Sequence, residues 1–225
     1  TLRLMPPARV VDELAALVAQ GVDVFHTCDA EFNHPTNHAA AVCREITDRG
    51  LGERITWYAY CSPTPFSGEL AHLMRKAGCA GINFGVDSGS DMQLKRLARN
   101  HRVSDLKAAA KLCRHNGIAT MYDLLLGGPG ETRESVRQTI ELMKEISPDR
   151  VGAALGVRIY QGTRLAEIVR AEGLTTGNRN LHGRIIGNDD FLAPIFYVSR
   201  LLGEAPYDYL RGLVGDDQRF FMAAK

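Results

Sequence analysis

Nothing in these 225 residues is long and apolar enough to read as a membrane span; no run of about 18 apolar residues occurs. The N-terminus, TLRLMPPARVVDEL, has neither an initiator methionine nor the apolar stretch of a signal peptide. An excess of one charge is missing too. With 27 Lys and Arg against 26 Asp and Glu, a net charge of +1 gives no bulk attraction to nucleic acid or an anionic membrane. The five cysteines, Cys28, Cys43, Cys61, Cys79 and Cys113, never fall into a CxxC, CxxxC or CxxH spacing, which excludes a local metal knuckle. The count is odd and the composition, 45% hydrophobic and 24% charged, has a cytosolic character. Free thiols are expected, most of them as small core residues. The expectation is a cytoplasmic globular protein with one sizeable core.

What is present is a regular alternation. Val10, Val11, Leu14, Leu17 and Val18 predict a helix over 7–20, opened by Pro6-Pro7 and closed by Gly21. A short strand begins in VDVFHTCDAEFN. Helices are predicted over 37–49, 68–76, 92–98, 104–116 (with Ser104 as its cap), 132–146 and 162–172. Strands are predicted over 54–61, in CAGINFGVDSGS, in IATMYDLLLGG and over 150–160. Five strands alternating with helices imply βαβ units and a parallel sheet, doubly wound or closed as a barrel. No hairpin signal supports an antiparallel sandwich. Residues 173–188 read as a loop, and 189–225, rich in aromatics, as a packed C-terminal extension.

In parallel α/β folds ligands bind at the C-terminal ends of the strands, and those ends are chemically loaded here. The first carries His26, Cys28, Asp29, Glu31 and His34, and the next Tyr58, Tyr60, Cys61 and Ser62. Later ones carry Asn83, Asp87, Ser88 and Ser90, then Tyr122 and Asp123, then Arg158, Tyr160 and Gln161. Plainer readings stand beside these. Asp29 and Glu31 serve equally as helix caps, Asp87-Ser88 as a turn, Arg158 as a solvated charge, and the aromatic residues as core. His26, Asp29, Glu31 and His34 also suit a divalent ion in a TIM-like lyase or hydrolase.

One stretch stands out, YDLLLGGPGET at 122–132. A phosphate-binding Walker A loop needs Lys and Ser or Thr after its last glycine, and here Glu131 follows Gly130. A carboxylate suits a helix N-terminus but repels a polyphosphate. The loop reads as a close-approach surface for a neutral group, such as a nucleobase or an amide.

FGVDSGSDMQLKRLARNH resembles the fourth-strand segment of radical S-adenosylmethionine (radical SAM) enzymes, usually G-[IV]-E-S-G-S followed by a short helix and an Arg. IATMYDLLLGGPGET resembles their fifth-strand segment, which ends G-x-P-G-E-T, and VRIYQGTRLAE their sixth, usually I-Y-P-G-T-P-L. The likeness covers about residues 1–172 and is nearest to the branch that often carries an upstream cobalamin-binding domain. It implies a partial (β/α)6 TIM-like barrel over 1–172, with 173–225 as a loop and extension packing on it. It also implies a [4Fe-4S] cluster, S-adenosylmethionine cleaved reductively to a 5′-deoxyadenosyl radical, and hydrogen abstraction from a small-molecule or peptide substrate. An external electron donor is implied, and cobalamin for the full-length protein.

By that resemblance Asp29 or Glu31 meets the amino group of the methionine moiety, and Asp87 and Ser88 lie near the ribose. Met121, Asp123, Gly127 and Gly128 flank the adenine. From position alone, Arg158 pairs with a carboxylate of S-adenosylmethionine or of the substrate. There are departures. The family's CxxxCxxC loop is absent from this sequence, Asp87 stands where Glu is usual, and Gln161 where Pro is usual. The expectation is that the first strand and cluster loop are missing, that the cluster ligands lie outside this chain, and that the chain alone is inactive and exposes a sheet edge prone to association. Two alternatives remain open: an inactive barrel serving as a binding module, and the metal-dependent lyase or hydrolase.

Overall fold

The computed structural model describes residues 3–222. In chain order the first elements are α1 (Pro7–Ala19), β1 (Val24–His26), α2 (Thr36–Asp48), β2 (Thr56–Cys61), α3 (Gly68–Lys76) and β3 (Cys79–Asp87). Then come α4 (Asp91–Arg96), α5 (Val103–His115), β4 (Ala119–Leu126), α6 (Arg133–Ile146) and β5 (Arg150–Leu155). The chain ends with β6 (Val157–Arg158), α7 (Arg164–Glu172), β7 (Leu181–Gly183), β8 (Ile195–Tyr197), α8 (Pro206–Val214) and β9 (Phe220–Met222). Six strands hydrogen-bond in the order β1-β2-β3-β4-β5-β9, and the pairs β1–β2, β2–β3 and β5–β9 are parallel. The fold is therefore α/β with a mostly parallel sheet.

The chain divides into two compact units. The first comprises residues 1–86, 103–122 and 148–150, and the second 87–102, 123–147 and 151–225. In the first unit, one side of the strands is covered. Trp57, Ala59 and Cys61 on β2, Ile82, Phe84 and Val86 on β3, and Tyr122 on β4 are all buried. Helices α2, α3 and α5 supply Ala39, Val42, Leu70, Met74, Leu106 and Ala109 to the same core. The Trp57 indole N–H donates to the Ala77 carbonyl (2.8 Å), and the Tyr122 hydroxyl to the Leu106 carbonyl (2.7 Å). The rings of Phe84 and Tyr122 meet edge-on at 5.6 Å. Each buried polar tip thus has a partner, as a dry core requires.

Helix ends follow local chemistry. Ser67 caps α3 by accepting the Leu70 N–H (3.1 Å), and Thr132 and Ser135 exchange hydrogen bonds in a capping box at α6. Ser104 is not a cap; α5 opens one residue earlier, and Ser104 lies within its first turn.

The predicted strand over 150–160 is broken. Gly156, at φ 105°, turns the chain and donates its N–H to the Leu126 carbonyl (2.7 Å). β5 stays in the main sheet, while β6 pairs antiparallel with β8 in a small sheet of order β6-β8-β7. A residue with a Cβ avoids that φ, so the glycine sets the break. The segment read as a loop contains β7, and the C-terminal extension returns as β9 beside β5, with Val151 opposite Phe220.

Candidate functional site

The first unit has a covered sheet face and an uncovered one. Along β2 the burial alternates, so that Tyr58 and Tyr60 stand on the side opposite Trp57, Ala59 and Cys61, and each keeps 41% of its surface. Paired residues of parallel strands share a face. Tyr58 is opposite Gly81 and Tyr60 opposite Asn83, which puts Gly85 on the same side; Val24 and His26 join them from β1. A bulge between Trp57 and Tyr58 sets this register. Met121 is half-buried at the matching phase of β4. Parallel sheets are ordinarily covered on both faces, so a bare one carrying aromatic and polar side chains marks a place for something else.

The loop after β1 is held firmly. Phe32 N–H donates to the Tyr60 carbonyl (2.8 Å), and the buried Asn33 carboxamide bridges Ser62 and Pro65. Asp29 and Glu31 are exposed on this loop and border an apolar pocket of about 310 Å³ with Phe25, Phe32 and Trp57. Glu31 lies 3.8 Å from His34, whereas the His26 ring nitrogen faces the Thr27 carbonyl (2.7 Å). Among the described residues no three His, Cys, Asp or Glu side chains are placed to hold a metal ion. The divalent-ion constellation therefore does not assemble.

In the second unit the glycine loop encloses its own glutamate. Glu131 is fully buried, and its carboxylate accepts the N–H groups of Gly127 (2.5 Å) and Gly128 (3.2 Å). Burial raises its pKa from 4.5 to about 7 against the lowering effect of those two amides. Three loop carbonyls are occupied as well, while Glu131 Oε1 is buried without a partner among the described residues. The Gly127 carbonyl accepts Ser199 N–H (2.8 Å), the Gly128 carbonyl Glu131 N–H (3.0 Å) and the Gly130 carbonyl the Arg96 guanidinium (2.5 Å). A Cβ on Gly128 would lie 2.9 Å from Gln93 Nε2 and 3.2 Å from Leu97, and one on Gly130 would lie 2.9 Å from Arg96. These glycines admit α4 and the residue after it.

Asp87 closes β3 at φ 60° and is nearly buried; its carboxylate is paired with Arg99, one turn past α4. Ser88 is fully buried with its hydroxyl 3.2 Å from that of Thr139, which also accepts the Gly89 N–H (2.9 Å). Asp123 is half-buried on β4. Arg158 is half-buried, with its guanidinium 4.9 Å above the Tyr160 ring and its Nε enclosed without an acceptor. Sequence reasoning missed the inward turn of Glu131, the buried amide of Gln93 and the ion pair at Asp87. Gln93 lies between Met92 and Leu94 in α4, and no pattern there reveals which of them is enclosed.

The residues present do not fit an iron–sulfur cluster. Cys43, Cys61, Cys79 and Cys113 are buried in the first unit's core, and desolvation pushes the thiols of Cys43, Cys79 and Cys113 up to about 12, with Cys61 raised as well. They are neutral core residues, as the spacing implied. An amino group such as that of S-adenosylmethionine does fit, beside the exposed carboxylates of Asp29 and Glu31.

Comparison with known proteins follows the same lines. The family model described as Radical SAM superfamily matches residues 1–143. The tryptophan 2-C-methyltransferase of Streptomyces laurentii is 32% identical over 94% of this chain, which spans 37% of that protein. The anaerobic magnesium-protoporphyrin IX monomethyl ester cyclase of Rubrivivax gelatinosus is 29% identical over 68% of this chain and 28% of its own. Among solved structures, the radical S-adenosylmethionine methyltransferase TsrM of Kitasatospora setae, with cobalamin and a [4Fe-4S] cluster bound, superposes with a TM-score of 0.86 at 27% identity, covering 97% of this chain and 49% of that one. The same enzyme with tryptophan substrate and a SAM analogue gives 0.85. The chain thus spans less than half the length of these relatives.

Proposed function

Because the chain belongs to the Radical SAM superfamily, we propose that it forms the S-adenosylmethionine-holding part of a cobalamin-associated radical SAM methyltransferase acting on a small aromatic amino acid or a close analogue. The observation that carries this reading is the likeness to a tryptophan methyltransferase along nearly the whole chain, joined to a sheet face left bare. When bound, the cluster, S-adenosylmethionine and cobalamin supply one-electron chemistry and a methyl group. The cluster ligands lie elsewhere in the protein, and an external reductant would supply the cluster's electron.

This chain's residues bind and orient. Asp29 or Glu31, both exposed carboxylates, meets the amino group of the methionine moiety. The backbone around Asp87 and Ser88 lies near the ribose; Arg99 and Thr139 fix their side chains. Met121 and Asp123 flank the adenine. Gly127 and Gly128 act on that wall by shape, since Glu131 takes their amides. Arg158 receives a carboxylate, because its enclosed Nε has no acceptor among the described residues.

The test uses the complete gene product, expressed anaerobically with iron and sulfide reconstituted. Added S-adenosylmethionine and reductant should yield 5′-deoxyadenosine or S-adenosylhomocysteine, with methylated product when L-tryptophan or an analogue is present. Neither product from a cluster-loaded protein would overturn the reading.

A further inference from the structure

The uncovered face of the first unit contains a glycine that neither its backbone nor its neighbours require. Gly85 sits in the interior of β3, outside the left-handed region, and a Cβ built on it would meet nothing within 4 Å. Glycine weakens a strand, and where it is not a bulge or a bend it often marks close approach by a ligand. Gly81, two positions before Asn83 on the same face, is different: its Cβ would come within 3.0 Å of the Tyr58 ring. Tyr58 therefore leans over β3, while Tyr60 packs toward β1, its ring centroid 4.8 Å from that of His26. The two residues stand about 7 Å apart along the strand, and their rings lean to opposite sides of it.

Both tyrosine hydroxyls lack a hydrogen-bond partner among the described residues. The first unit's strand positions on this face, from Val24 and His26 to Met121, include no Asp, Glu, Lys or Arg. Such a surface suits a flat, neutral ring with one polar edge; it offers a charged group nothing to pair with.

We propose that Tyr58, Tyr60 and Gly85 form the seat for the planar aromatic ring of the substrate. The two phenol rings contact its faces or edges, a hydroxyl meets its polar edge atom, and Gly85 keeps the floor clear. This assignment rests on the methyl-transfer reading, from which it takes the occupant's class. It names the side chains that select it.

The test is calorimetric titration of the reconstituted full-length protein with L-tryptophan and with indole, alongside S-adenosylmethionine. Tyr58→Leu and Tyr60→Leu should each weaken binding of the aromatic probes roughly 3–10-fold. Gly85→Val, which has room to fold, should weaken it about tenfold or more. Tyr58→Phe and Tyr60→Phe keep the rings, and the one whose hydroxyl meets the edge atom should weaken binding about 2–10-fold while the other stays within about twofold. S-adenosylmethionine binding and circular dichroism should not move. Wild-type protein that turns over S-adenosylmethionine yet binds neither probe would overturn the seat and leave the proposed function standing. Variants that bind the probes like wild type would overturn it too. Loss of S-adenosylmethionine binding in the same variants would assign the face to the cofactor instead. If the probes bind and the variants lose them, while no product of S-adenosylmethionine forms, the seat stands and the methyl-transfer reading falls.

Discussion

Two glycine-marked regions of this molecule, a lone glycine within a strand and the GGPG loop, differ in what meets their glycines. On the first unit's uncovered face, Gly85 has empty space beside it and neighbouring tyrosines with free hydroxyls. In the second unit's loop, Gly128 and Gly130 are pressed against Gln93 and Arg96, and Glu131 takes two of the loop's amides. The first arrangement is unfinished without a guest. The second closes on the protein's own groups, with Glu131 Oε1 and the Gln93 carboxamide enclosed beside it without partners among the described residues. Glycine therefore signals close approach in both places, but by a ligand in one and by the protein's own helix in the other.

The largest effect that separates the two regions should come from Glu131→Ala. It strands two buried N–H groups, and denaturant titration should show a loss of about 2–5 kcal/mol. Smaller but in the same direction, Gly128→Ala should cost about 1–3 kcal/mol by pushing Gln93 and Leu97 aside. The pH dependence of Glu131 adds a signed prediction. Its folded pKa is raised from 4.5 to about 7, so its favourable contribution is full below pH 4.5 and is lost as pH rises through 7. Wild-type stability should fall relative to Glu131→Gln between about pH 4.5 and 7 and then run parallel above it, by thermal melts across that range. A flat difference would mean that Glu131 stays ionised throughout.

Two matched substitutions sharpen the contrast further. Tyr122→Phe removes a buried hydrogen bond to the Leu106 carbonyl and should cost about 1 kcal/mol. Tyr58→Phe removes a hydroxyl that has no partner among the described residues and should change stability by less than about 0.5 kcal/mol. The smallest effect belongs to Gly85→Ala, also within about 0.5 kcal/mol, because its methyl group enters empty space. A large loss there would show that the face is packed rather than bare.

The alternation of apolar strands and periodic helices made the α/β class legible, and the three strand-end segments made the family legible. The break at Gly156 was not, because VRIY continues a β pattern and only the φ of one glycine ends it. The return of Phe220–Met222 to the sheet was also hidden, since strand order is a long-range property. At the site, composition could not separate Trp57 from Tyr58 or Tyr122 from Tyr60. All four are aromatic residues within strands, and only the strand phase sends two into the core and leaves two on the uncovered face. Likewise, a glutamate after a glycine loop reads as a helix-start charge until it is seen to turn back onto Gly127 and Gly128.

The central claim is best tested by a crystal structure of the full-length protein with S-adenosylmethionine and L-tryptophan. The indole is expected in van der Waals contact with Tyr58, Tyr60 and Gly85, with the Glu131 carboxylate still holding the amides of Gly127 and Gly128. A ligand bound to those two amides with Glu131 displaced, above an empty sheet face, would contradict it.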